Sequence, residues 1–392
     1  MSAATQPERA EPTPIAGADR VTVTSLSIRD FRNIEHADIE LPADGIALVG
    51  DNGHGKTNIL EAIAYLQLLS SMRGVRDRDL IRFGAAAFHV HAGAAGTRTQ
   101  RVSAGVDRAG RKRLALDGVE TSRVSDVLGA IPSVCFSPDD AALVSGAPSE
   151  RRRYLDITLA LSSVRYLAAL RQYRAALVRR NAALRETSRT HASSAAAWEP
   201  ALATYGAVLM TERRSWIGTV EAEFQRLCTS IGERAVMQLA YVPSLREEAT
   251  RGEEGEVRLA LAEALARGRE QDARRSVTQS GPHRDDLSVT LGGRDLRQVG
   301  SAGQQRTAAI ALRLLSASTF RLRGGAQPVL LLDDPFAELD RRRAARVLAL
   351  LDDISARGLG QTVLCVPRED EIPAPFTRLE RWRVTDGALE RV

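Results

Sequence analysis

The sequence predicts an α/β fold in which a parallel-sheet head is interrupted by an inserted, mainly helical lobe carrying a short helical hairpin arm. Three observations carry this expectation. A strand, a glycine-rich turn and a helix follow one another near the start of the chain; a continuous apolar run ending in two aspartates lies near its end; a long stretch of helical period separates the two. The 392 residues suffice for one large core or two medium ones. A content of 44% hydrophobic and 26% charged residues is that of a globular chain, not a disordered or fibrous one. No apolar stretch approaches the roughly 18 residues that a membrane-spanning helix needs.

The first 19 residues, MSAATQPERAEPTPIAGAD, are rich in proline, alanine and polar residues and read as a disordered extension. They lack the basic start and apolar block of a secretory signal. From Val21 the texture changes. Residues 21–28, 37–41 and 46–49 cluster or alternate apolar side chains between turn residues and are expected as three short strands. Directly after the third come Gly50-Asp51-Asn52-Gly53-His54-Gly55-Lys56-Thr57, and then NILEAIAYLQLL with apolar residues at helical spacing. This is the pattern G-x-x-x-x-G-K-[ST] in its strand, loop and helix setting. The glycines let the backbone approach phosphates with N–H groups pointing inward. A helix opening at Lys56 adds the positive end of its dipole. The expected ligand is ATP with Mg²⁺, Lys56 bridging the β- and γ-phosphates and Thr57 Oγ on the metal.

Residues 328–334, PVLLLDD, supply the second half of such a site. A continuous apolar run marks a strand buried on both faces. Its end places Asp333 beside the Mg²⁺ water shell, and Asp334 can polarise the attacking water. Lys56, Asp333 and Asp334 are therefore the candidate catalytic residues. Upstream, Ser301-Ala302-Gly303-Gln304-Gln305-Arg306 opens the helical run TAAIALRLLSAS. Ser301, Gly303 and Gln304 present a hydroxyl, free backbone N–H groups and a side-chain amide, an anion-binding surface at a helix start.

Between these halves, residues 151–275 read as packed helices. Val164, Leu167, Leu170, Tyr173, Leu177 and Leu184 recur at helical spacing, as do Leu202, Tyr205, Leu209, Trp216, Leu227 and Ile231. A break rich in Ser, Thr and Ala over 187–195 is the expected turn of the hairpin. Arginines crowd this region (Arg151, Arg152, Arg153, Arg165, Arg171, Arg174, Arg179 and Arg180), and Asp156 is the only acid over 151–180. Such a face predicts phosphate contact with duplex DNA, by Arg151, Arg152, Arg153, Arg171 and Arg174 in particular; the alternative is a solvated helix face. No aromatic-interleaved basic patch points to base stacking. The expected division is a disordered extension over 1–19, a first lobe over 20–149 with the glycine-rich loop, a mainly helical second lobe over 150–300, and a return to the first lobe over 301–392.

Cys135, Cys228 and Cys365 are far apart and odd in number; they read as small buried hydrophobes in a reducing cytoplasm. His89 and His91 share one face of an expected strand without further ligands for a metal. A net charge of +5 and a pI near 9.4 fit a nucleic-acid partner without establishing one. Only Lys56 and Lys112 are lysines, and the first falls where the loop chemistry requires it.

Several stretches resemble the RecF family of DNA replication and repair proteins, within the ABC-type ATPases. Asp30-Phe31-Arg32-Asn33 precedes the loop, which runs into GKTNILEAIAYL and LLSSMRGVRDRDLIRFG. Residues 135–156 (CFSPDDAALVSGAPSERRRYLD), 281–287 (GPHRDDL), the signature SAGQQR and LLDDPFAELD complete the resemblance, which is weak between about 190 and 275. It implies an ABC-type P-loop head in which Arg32 and Asn33 join the loop at the nucleotide and Ser301 reaches the ATP of a second subunit. It further implies an ATP-dependent homodimer that binds single- and double-stranded DNA at gaps and stalled forks. RecO, RecR and RecA would be its partners in repair and the SOS response, with no membrane involved. Two departures stand out. Residues 361–370, QTVLCVPRED, lack the switch histidine that many relatives carry after the acidic strand. Asp334 replaces the glutamate usual in transporter-type ATPases, so slow turnover is expected; the resemblance implies a weak DNA-stimulated ATPase used as a switch. His283, within GPHRDDL, either ties the two lobes near the nucleotide or serves as a turn residue. The rival readings are a transporter-type subunit, usually marked by LSGGQ, and a chromosome-organising structural ATPase, which needs a far longer arm.

Overall fold

The computed structural model describes residues 21–96, 100–185, 191–324, 327–336, 339–356 and 361–392. The extension expected over 1–19 lies outside them.

The first strands belong to two different sheets. β1 (Thr22–Phe31) and β2 (Ile34–Glu40) form an antiparallel hairpin. They continue into β4 (Ala87–Ala95), β5 (Gln100–Asp107), β6 (Lys112–Leu116) and β7 (Val119–Thr121), in the order β2-β1-β4-β5-β6-β7. The register of β1 against β4 shifts between Val23 and Ser25. That one-residue bulge lets Val23 and Leu26, three positions apart, both point into the core.

The second sheet carries the functional ends. Its order is β15 (Ala388–Arg391), β14 (Glu380–Thr385), β3 (Gly45–Val49), β13 (Thr362–Val366), β12 (Val329–Asp333) and β8 (Ser133–Phe136). All but the β14–β15 pair run parallel. Alternate residues serve opposite cores. Ile46, Leu48, Val329, Leu331 and Val363 face the helix α1 (Lys56–Leu68) and the antiparallel sheet. Ala47, Val49, Leu330, Leu332 and Leu364 face the second core. A strand buried on both faces has no polar side to show, which is why β3, β12 and β13 read as unbroken apolar runs. The second lysine, Lys112, pairs with Asp77 at 2.8 Å and lies over the Tyr65 ring, fastening β6 to α1.

The second core is shared with the inserted lobe. This lobe contains α2 (Pro148–Ser162), α3 (Val164–Arg185), α4 (Glu199–Ile231) and α5 (Glu254–Arg275), counting helices of ten residues or more. Leu170, Tyr173, Leu184, Leu202, Leu209, Trp216, Leu227 and Ile231 are buried at the expected spacing. Val164 is not: it opens α3 and is 86% exposed. Part of the turn expected over 187–195 lies outside the described residues, and His191–Ala196 is a short helix. The lobe also holds a three-stranded antiparallel sheet of β9 (Met237–Val242), β10 (Asp286–Leu291) and β11 (Arg294–Asp295). The chain then returns through α6 (Ala302–Gly324) and, after β12, α7 (Arg341–Ala356).

A buried ionic network fixes the lobe. The Arg213 guanidinium, 2% exposed, donates to Asp156 at 2.8 Å, to Pro282 O at 2.7 Å and to the Tyr166 hydroxyl at 2.9 Å, and meets Asp285 at 3.3 Å. Burial alone would raise the Asp156 carboxyl, but Arg213 and Arg174 outweigh it and hold it below the usual range. Removing one partner of such a network leaves buried charge unmatched. Arg213→Met is therefore expected to cost about 3–5 kcal/mol; urea unfolding that shows a loss below about 1 kcal/mol would contradict the assignment.

Candidate active site

The loop between β3 and α1 is shaped by contacts that exclude side chains. A Cβ on Gly50 would lie 2.3 Å from Val384 O. Gly55 has φ +108, and a Cβ there would lie 2.6 Å from Asn33 Oδ1. Asn33 is itself a strut: its Nδ2 donates to His54 O at 3.2 Å and its Oδ1 accepts from Asn58 at 2.8 Å. Gly55→Ala therefore forces a left-handed alanine and displaces the strut. The expected result is at least tenfold weaker nucleotide binding by calorimetry, with a stability cost of about 1–3 kcal/mol; parent-like affinity would show that the loop needs no glycine there.

No side chain caps the start of α1, where the Asn58 N–H donates to Gly55 O at 2.9 Å, so the positive end of the helix dipole is left for an anion. Lys56 is 7% exposed and its Nζ donates to Gly50 O at 2.5 Å and Asp51 O at 2.9 Å. Thr57 Oγ1 donates to Asp333 Oδ1 at 3.0 Å, which joins the loop to the end of β12. Asp334 follows in a left-handed conformation, φ 40, with its N–H donating to Cys365 O at 3.1 Å. These residues line one cleft of about 330 Å³ with Asn52, Gly53, Gly55 and Arg73.

Burial raises the Asp333 carboxyl above its ordinary value; the Thr57 hydroxyl, Arg73 and Lys56 pull it back and Asp334 adds to the rise. A cation would reverse that balance. A carboxylate paired with a threonine hydroxyl is a hard oxygen pair of the kind Mg²⁺ takes with phosphate ligands. No group of three or more His, Cys, Asp or Glu residues suited to a metal occurs among the described residues.

Several expected residues stand elsewhere. Arg32, expected at the nucleotide, binds Glu61 through both Nε (2.9 Å) and Nη2 (3.2 Å), and so steadies α1. Ser301, Gly303 and Gln304 do not line the Lys56 cleft of their own chain. Ser301 is exposed; its N–H donates to Gln304 Oε1 at 3.0 Å and its Oγ accepts from Gln304 N–H at 3.3 Å, a reciprocal cap on α6. His283 resolves as a turn residue within the helical lobe, its Nδ1 2.7 Å from the Tyr173 hydroxyl and its Nε2 3.0 Å from Thr278 O. Burial pushes its pKa down to about 4, so it stays neutral near pH 7. Cys228 and Cys365 are buried, whereas Cys135 is only half-buried.

The arginine face divides. Arg151 is 5% exposed and bound to Asp286 through Nε and Nη2, and Arg180 is fully buried on Asp272 and Glu199. Neither can meet a phosphate, which corrects the expectation for Arg151. Arg152 and Arg153 are half-buried, while Arg171 and Arg174 are exposed. Two further arginines, within the stretches LLSSMRGVRDRDLIRFG and SAGQQR, belong to the site although neither is among the expected site residues. Arg73 lines the cleft beside Asp333 and Asp334. Arg306, buried at the start of α6, donates to Ser137 O and Pro335 O and so ties the signature to the ends of β8 and β12.

Residues 22–366 match the family described as RecF/RecN/SMC N terminal domain. The DNA replication and repair protein RecF of Roseiflexus castenholzii is 36% identical over 393 residues, spanning 94% of this chain and 99% of the relative. The chain belongs to the RecF family. The RecF of Streptomyces avermitilis is 35% identical over 384 residues, covering 94% of this chain and all of the relative. A solved structure of the recombination mediator protein RecF with ATP, in the RecFOR pathway, superposes with a TM-score of 0.85 at 26% identity, over 95% of this chain and 98% of that one. An SMC head bound to the winged-helix domain of ScpA, at 18% identity and a TM-score of 0.55, shares the fold alone. The ABC-type head with its inserted helical lobe is thus the RecF architecture. Among the described residues no helix is long and apolar enough to cross a membrane.

Proposed function

We propose that this chain is an ATP-dependent DNA-binding recombination mediator. It acts at single-strand gaps and stalled forks and, with RecO and RecR, promotes loading of RecA during replication, repair and the SOS response in the cytoplasm. The observation that carries the reading is the meeting of Thr57 with Asp333 across the glycine-rich cleft, in a chain whose near full-length relatives are RecF proteins.

In this reading Lys56 leaves the carbonyls of Gly50 and Asp51 for the β- and γ-phosphates of ATP, and the first-turn amides of α1 hold the remaining charge. Thr57 and Asp333 would hold Mg²⁺, whose charge would offset that of the phosphates. Asp334 orients the attacking water. Ser301, Gly303 and Gln304, exposed or half-buried and outside their own chain's cleft, complete the cleft of a second copy. ATP therefore adds contacts available only in the closed dimer, so its binding drives closure and its hydrolysis releases it. With the short Asp334 and no histidine over 361–370, turnover is slow and serves as a switch.

Binding to gapped, single-stranded and duplex DNA, with and without ATP across a salt series, tests the reading. Tighter binding with ATP and a steep fall with salt are expected. Binding indifferent to ATP would contradict it, and no binding at moderate salt would favour the transporter-type reading.

A further inference from the structure

We infer that a notch on the helical lobe is a phosphate site for the DNA backbone, built where two sequence motifs that take no part in the nucleotide cleft converge. One motif is the start of α2, within SERRRYLD; the other is GPHRDD, residues 281–286. The notch, about 320 Å³, is lined by Arg152, Arg153, Arg174, Arg213, His283 and one carboxylate, Asp156. The inference rests on the DNA-binding reading above and gives it a location.

The direction of the acids sets the charge of this notch. Asp156 turns Oδ1 onto Arg213 and Tyr166 and Oδ2 onto Arg174. Asp285, fully buried, turns onto Arg213, the Tyr241 hydroxyl and the Ser244 N–H. Asp286 turns onto Arg151. Each carboxylate is matched from within the lobe. Two arginines at the wall have carbonyl partners, Arg152 donating to Asp285 O at 2.9 Å and Arg153 to Ser71 O, while Arg174 pairs at 2.8 Å with Asp156, a carboxylate shared with Arg213. Burial lowers the proton affinity of the Arg152 and Arg153 guanidiniums; Asp286 and Asp285 oppose the fall at Arg152 and Glu150 at Arg153, while neighbouring arginines add to it. An anion in the notch would relieve both effects.

Several converging guanidinium forks suit a phosphate, with its charge spread over several oxygens. A backbone phosphate can reach them because the Arg174 side chain is 62% exposed. The base edges would stay outside, so the contact positions DNA without reading its sequence.

The test is anisotropy of labelled gapped DNA with ATP, across a salt series, for the parent and the double variant Arg152→Gln, Arg174→Gln. Asp156 keeps Arg213 and Tyr166 in that variant, and a melting curve checks folding; Arg174→Gln alone serves if the double variant is unstable. The expected loss is about tenfold in affinity at moderate salt, with the slope of log K against log salt shallower by about one to two. ATP affinity should be unchanged, and Arg171→Gln, outside the notch, should lose distinctly less. A folded variant with the parent's affinity and slope overturns the inference, and so does an equal loss from Arg171→Gln. Inorganic phosphate is the second arm. If it stabilises the parent and not the variant while both bind DNA alike, the notch holds a free anion and the inference fails. A parent that binds no DNA at all would instead sink the proposed function, and this inference with it.

Discussion

Lys56→Met is expected to leave the fold intact and abolish ATP-dependent dimerisation. Among the described residues the lysine Nζ bonds to the carbonyls of Gly50 and Asp51 within the loop, and methionine fills nearly the same volume without the charge. What is lost is a charge-assisted contact to phosphate, worth roughly 1.5–3 kcal/mol, or about ten- to a hundredfold in affinity. In the proposed arrangement both clefts contribute to each closed dimer, so the loss should be steeper in dimer than in nucleotide bound. Calorimetry with ATP and light scattering with and without it read the two effects separately. A variant that dimerises with ATP as well as the parent would remove Lys56 from the switch.

Asp334→Asn should do the opposite and trap the dimer. Asparagine tolerates the left-handed backbone at this position as aspartate does, and the N–H bond to Cys365 O is kept. The change therefore isolates the carboxylate. Loss of a positioned general base typically lowers a rate by about 10²–10⁴-fold. Phosphate release should fall accordingly while the ATP dimer persists on gel filtration. Phosphate release at the parent's rate would take Asp334 out of the reaction.

Much of the site is legible in the sequence because its chemistry fixes residue type and spacing together. A loop that wraps phosphates needs Gly50, Gly53 and Gly55 before Lys56 and Thr57, and a doubly buried strand needs an unbroken apolar run before Asp333. Residues without that constraint are silent. Arg73 and Arg306 lie within the stretches that carry the family resemblance, but residue type and spacing assign them no role; packing brings Arg73 to the cleft and Arg306 onto Ser137 O and Pro335 O. The arginine run over 151–180 misleads for a related reason. Arg151 and Arg180 find Asp286 and Asp272, more than ninety residues onward, so local acid scarcity says nothing of their pairing. Alternation places β1 and β2 as strands but not in which sheet they pair. The alternating run MQLAYV of β9 is a readable signal, hidden only by the helical texture around it.

Complementation between two variants tests the borrowed-serine arrangement most directly. Lys56→Met spoils the cleft of its own chain, whereas Ser301→Arg spoils the cleft of its neighbour. Each variant alone should fail to dimerise or hydrolyse ATP. Mixed together they form one intact cleft, from the Lys56 of one chain and the Ser301 of the other, and ATP-dependent dimerisation should return in part. A mixture as inactive as either variant, or a Ser301→Arg protein that dimerises unaided, would contradict the account.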